Sequence, residues 1–199
     1  MIATRHKAVI DADFFNKITN GGSDTSLFRA VMDELQFEPI MHQYVYNYEL
    51  SSNNAARTLV GEGYITIEDE SSFWVTNGTS YQRSFLMLYR TMNGRAYTGG
   101  VDLRAYHHRQ ENLGEIRSSL LAFFKGYNYF MSDDQGAKYY ITNRFPSRHT
   151  IRVMNLYDTF EEIGNRAEHS IKWKDIKGML KQSLSAKNYE IIRSIWVPQ

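Results

Sequence analysis

The sequence predicts an α/β protein, with a central, mostly parallel sheet between two helical layers. Three observations carry that expectation. Short strand-like runs at 7–11, 63–70, 127–131 and 150–156 alternate with segments whose apolar residues recur every three to four positions. Such alternation is the mark of parallel strands joined by crossover helices. Acidic residues then fall at the ends of the strand-like runs, where sheets of this class place their ligands.

Taken in order, KAVID (7–11) reads as a buried strand ending in an acid, and DFFNKI as a helical turn. Gly21-Gly22, with Ser23 and Asp24, breaks the chain and supplies cap residues for a helix carrying Leu27, Val31 and Leu35 on one stripe. Pro39 is expected to end that region and lead into a second helix, where Met41, Val45 and Tyr48 share a face. Residues 54–60 continue helically, and GYITIEDE alternates like a strand. A helix is expected around Phe85, Met87 and Leu88, followed by a loop at 93–100. The next helix opens at Asn112 and carries Ile116, Leu120 and Phe124; YNYFM is a strand and SDDQG a turn. AKYYITNRF resumes a helix, TIRVMNL is a strand, and TFEEIG starts another helix. Beyond residue 165, IKWKDIKGMLKQSL and SAKNYEIIRSIW form two lysine-bearing amphipathic helices, which are expected to pack on the domain. The division is therefore a main domain over 1–165 and a C-terminal helical extension over 166–199.

Composition narrows the function classes. The 199 residues suffice for one domain with a sizeable core, and 42% hydrophobic with 23% charged residues is ordinary for a soluble protein. No apolar run approaches the ~20 residues that span a bilayer, and the four-residue apolar stretch after the basic start is not a signal peptide. The absence of cysteine excludes disulfides, thiolate metal sites and cysteine nucleophiles, and fits a cytoplasmic protein. A net charge of +1 means that any nucleic-acid binding must come from local patches and metal ions.

Four acids stand at element ends: Asp11 after the first strand, Glu49 one turn past Val45, Glu115 in a first helical turn, and Asp133 after YNYFM. Each also has a structural alternative. Asp11 or Asp13 caps the following helix, Glu115 completes a capping box with Asn112, Asp133 and Asp134 are turn acids, and Glu49 faces solvent. Their joint order carries the functional reading.

VIDADFFNKI resembles the opening strand and turn of PIN domains, and MHQYVYNYEL is similar to the helix that carries a glutamate near its end in that family. NLGEIRSSLLAFF followed by YNYFMSDDQGAK resembles the family's Gly-Glu helix, strand and Asp-Asp turn; the match spans roughly residues 6–155. The resemblance implies a metal-dependent ribonuclease with a three-layer α/β/α fold. Asp11, Glu49, Glu115 and Asp133 would be catalytic and hold one or two Mg2+ or Mn2+ ions, with Asp134 as a further ligand and Ser132 in support. Hard carboxylate oxygens suit those ions, and the chemistry implied is hydrolysis of RNA phosphodiesters by a metal-activated water. Arg117, Lys138 and Arg144 are the candidate substrate contacts, and Arg148 flanks the same loop. Relatives further imply a toxin role, with an antitoxin protein and a homodimer as partners. His107-His108 lacks companion ligands at suitable spacing and reads as loop.

Two other readings compete. Asp11-Ala12-Asp13 after an apolar strand resembles the nucleophile motif of haloacid-dehalogenase-like phosphatases, but Phe15 stands where that motif carries threonine or valine, and Glu49 and Glu115 are left without roles. The other is a non-catalytic PIN-fold interaction module, with partly structural acids and C-terminal helices that bind a protein partner.

Overall fold

The computed structural model describes residues 5–93, 112–134, 136, 138, 139, 141 and 150–197, apart from the side chains of 72–75 and 93. Five parallel strands form one sheet: β1 (His6–Ile10), β2 (Phe37–His42), β3 (Thr66–Glu68), β4 (Tyr129–Met131) and β5 (Arg152–Met154), in the order β3-β2-β1-β4-β5. The helices are α1 (Ala12–Ile18), α2 (Ser26–Leu35), α3 (Asn54–Gly61), α4 (Ser71–Asn93), α5 (Leu113–Lys125), α6 (Leu156–Gly164), α7 (Trp173–Ser183) and α8 (Ala186–Trp196), with a π-helical turn at Val45–Glu49.

Side-chain alternation along the strands sends successive residues to opposite faces. Ala8, Ile10, Met41, Met131 and Met154 join one buried cluster, built with α1, α2, α3 and α6. Val9, Ile40, Phe130 and Val153 join the other, built with α4 and α5. Both faces of the sheet are thus covered, as an all-parallel sheet requires. Ile176, Leu180 and Ile192 are fully buried in the first cluster, so α7 and α8 share the core of the sheet rather than trailing from it. The Trp196 indole N–H donates to the Phe160 carbonyl at 2.8 Å and fixes the end of the chain to α6.

The region around Pro39 differs from its expectation. Phe37–His42 is strand β2, not a break leading into a helix, and Met41 belongs to that strand. Pro39 pairs with Ala8 on β1, whereas pairing with β3 begins only at Ile40. Pro39 therefore precedes the ladder on the β3 side, a position where a strand tolerates a missing N–H. The expected loop at 93–100, the pair His107-His108 and the segment carrying Arg144 and Arg148 lie almost wholly outside the described residues.

The chain runs β1 to β2 to β3 on one side of the sheet, and β4 to β5 on the other. The C-terminal ends of β1 and β4 therefore flank the point where strand order reverses, which is where open α/β sheets form their binding crevice. Among the described residues, no helix is long and apolar enough to cross a membrane.

Candidate metal and active site

Asp11 is the residue after β1, and its backbone N–H continues the ladder to the Met131 carbonyl at 3.0 Å. It precedes α1, yet its side chain makes no capping bond to that helix. Instead Oδ2 accepts the Ser132 hydroxyl at 3.1 Å. The carboxylate is 1% exposed, and Oδ1 has no hydrogen-bond partner among the described residues. An isolated buried carboxylate oxygen is costly, so this atom marks a position that needs a proton or a cation.

Glu49 reaches the same place through the π-helical turn. Leu50 N–H bonds to the Val45 carbonyl at 2.9 Å, an i to i+5 bond that rephases the helix just where Glu49 leaves it. The Glu49 carboxylate then lies over the start of α5. A Cβ built on Gly114 would stand 2.5 Å from Glu49 Oε1 and 2.7 Å from Cδ, inside contact distance, so glycine is what admits it. Glu115 is the next residue. Asn112 precedes the helix with φ +60° and makes no side-chain capping bond, so the capping-box alternative for Glu115 is not realised.

The electrostatics tie these groups together. Burial, then the negative charges of Glu115 and Glu49, push the Asp11 carboxyl well above its ordinary range. Burial, with Asp134 and Asp13 nearby, raises Glu115. Asp11, Asp13, Glu49, Glu115 and Asp134 thus share one negative field at the crevice.

Asp133 sits differently. Its Oδ1 accepts the Leu156 N–H at 3.1 Å, and its Oδ2 takes the Lys17 ammonium at 2.5 Å. Lys17 also bonds Asp13, four residues earlier on α1, at 2.8 Å. Burial works against the Lys17 charge, but the bonds to Asp13 and Asp133 outweigh it and hold the ammonium above its usual value. The sequence reading missed Lys17; its i, i+4 spacing from Asp13 was the available signal. Ser132, fully buried, also accepts the Asp134 N–H at 3.3 Å, while the Asp134 carboxylate receives the Gly136 N–H.

The basic candidates are engaged elsewhere. Arg117 is buried and paired with Glu70, its guanidinium 5.3 Å from the Tyr44 ring centroid. The other Glu70 oxygen takes His42 Nε2 at 2.8 Å, and His42 Nδ1 accepts the Tyr44 N–H, so the imidazole is the Nε2–H donor. Burial opposes ionisation of Glu70, yet His42 and Arg117 lower it to about 2. Lys138 pairs with Asp158 at 2.7 Å.

The donor set fits a hard divalent ion. Among the described residues, no three Asp, Glu or His side chains close on a common point. Mg2+ does not need such a cage, since it keeps several waters and uses one or two carboxylates directly. In comparisons with known proteins, the chain matches no family model, no curated protein and no solved structure.

Proposed function

We propose that this chain is a divalent-metal-dependent ribonuclease of the PIN type. The observation that carries the reading is the buried, unpartnered Asp11 Oδ1, which shares its negative field with Glu49 and Glu115 at the reversal point of a parallel sheet. Carboxylates crowded in this way repel each other and bind protons unless a cation offsets them. Asp11, Glu49 and Glu115 would hold Mg2+ or Mn2+ there, in part through water, with Asp134 beside them. Such an ion supplies Lewis-acid charge that favours deprotonation of water and offsets the charge of the scissile phosphate.

The protein's own groups do the positioning. Ser132 anchors Asp11 Oδ2 and leaves Oδ1 directed elsewhere. Gly114 keeps the Glu49 carboxylate against the start of α5. Glu115, half-buried and with raised proton affinity, is suited to accept a proton from water near the reacting phosphate. The phosphatase alternative requires Asp11 itself to meet phosphorus, and a carboxylate that is 1% exposed is poorly placed for that. The toxin role, antitoxin partner, homodimer and cytoplasmic location are carried by the resemblance alone and belong to the same proposal.

The test is digestion of a mixed-sequence RNA with and without Mn2+, by intact protein, Asp11→Asn and Glu115→Gln, with circular dichroism to confirm folding. Metal-dependent cutting by intact protein alone is expected. Equal cutting by all three would place the activity elsewhere. No cutting by intact protein in Mn2+ would favour the non-catalytic interaction module.

A further inference from the structure

We propose that Lys17 is a resident cation of the Asp133 half of the acidic pocket, so that the pocket takes one divalent ion, on the Asp11 side, and not two. The inference deepens the metal-site reading and rests on it. Asp133 is only 11% exposed in its side chain, too little for water alone to stabilise its charge. Its two oxygens already have donors: the Leu156 N–H on Oδ1 and the Lys17 ammonium on Oδ2. Lys17 is held from two elements, by Asp13 on its own helix and by Asp133 after β4. The ammonium thus sits between the acids that a second ion would have to recruit.

Asp11 presents the opposite situation. Its Oδ1 is buried and lacks any donor among the described residues. Glu115 and Glu49 add negative charge beside it, while the one cation of the pocket is bonded to Asp13 and Asp133. The unfilled demand for positive charge is therefore on the Asp11 side. A second divalent ion at the ~4 Å spacing of two-metal sites would have to displace the ammonium or stand against it. Lys17 is a positioning residue in this account: it holds Asp133 and fixes how many ions bind.

Isothermal titration of the full chain with Mn2+ tests this through stoichiometry. Intact protein and Lys17→Arg should bind one ion, and Lys17→Met should bind two. Asp133→Asn, which keeps an acceptor for Lys17 and for the Leu156 N–H, should bind one ion with affinity changed by less than about threefold. Two ions on intact protein, or one on Lys17→Met, would overturn the inference and leave the metal site standing. A loss of more than about tenfold in Asp133→Asn would do the same, by making Asp133 a ligand. No ion on intact protein would overturn the metal-site reading and this inference together. If Lys17→Met does not fold, Asp133→Asn and intact protein still decide the matter.

Discussion

Replacing Gly114 by alanine separates the geometry of the site from the stability of the fold. The added Cβ would stand 2.5 Å from Glu49 Oε1 and 2.7 Å from Cδ. Ordinary contacts between such atoms begin near ~3.5 Å, so the carboxylate must retreat by roughly 1 Å. Metal–ligand distances tolerate only about ±0.2 Å, so a retreat of that size removes Glu49 from coordination or misplaces the water it holds. Mn2+ affinity should fall roughly 10- to 100-fold, the range seen when groups supporting a metal site are disturbed. Stability should hold or rise, because alanine is a better helix residue than glycine by up to ~1 kcal/mol and Gly114 has no positive φ to lose. Moving Glu49 also relieves one of the charges that repel Asp11. Titration with Mn2+ and a thermal melt in chelator read the two effects separately. Unchanged Mn2+ affinity in a folded Gly114→Ala protein would refute the placement of Glu49 at the site.

Three further outcomes follow from the same contacts. The Asp11 carboxyl is raised in the fold, so it favours the folded state only at low pH, and that advantage is lost as pH rises above its ordinary value of 3.8. Asp11→Asn should therefore raise the melting midpoint of metal-free protein at neutral pH by roughly 2–6 °C, and the gain should vanish in acid. Glu70 is depressed to about 2, so its stabilisation is complete above its ordinary 4.5 and drains away as pH falls towards 2. Glu70→Gln leaves the buried Arg117 without that carboxylate, at a cost of roughly 3 kcal/mol; the midpoint should drop by roughly 6–12 °C, with Mn2+ binding unchanged. Ile192→Ala, at a fully buried position on α8, should destabilise the whole domain by about 2–5 kcal/mol in one cooperative denaturant transition. An early, separate transition would instead mark the C-terminal helices as an independent unit.

Much of the sheet was legible because Ala8, Val9 and Ile10, or Phe130 and Met131, are apolar on consecutive positions, which only a strand buried on both faces requires. Strand β2 was hidden by Pro39, whose usual meaning is a break; its tolerance depends on where β3 begins, a fact of pairing that local sequence does not carry. The positions of Asp11, Glu115 and Asp133 along the chain were readable from strand and helix ends. Their different surroundings were not. That Asp133 is occupied by Lys17 while Asp11 Oδ1 stands alone depends on α1 lying against the β4 turn. Arg117 was read as a surface cation because its partner, Glu70, lies 47 residues away in the chain. Gly114 was visible only as part of a Gly-Glu pair; its purpose appears once Glu49 is seen against it.

The most direct measurement is a crystal structure grown in Mn2+, with anomalous difference density locating the ion. The account predicts a peak at about 2.1 Å from Asp11 Oδ1, within direct or water-bridged reach of Glu49 and Glu115, and Lys17 still bonded to Asp133. A metal-soaked crystal with no peak at Asp11, or with its only peak on acids elsewhere, would contradict it.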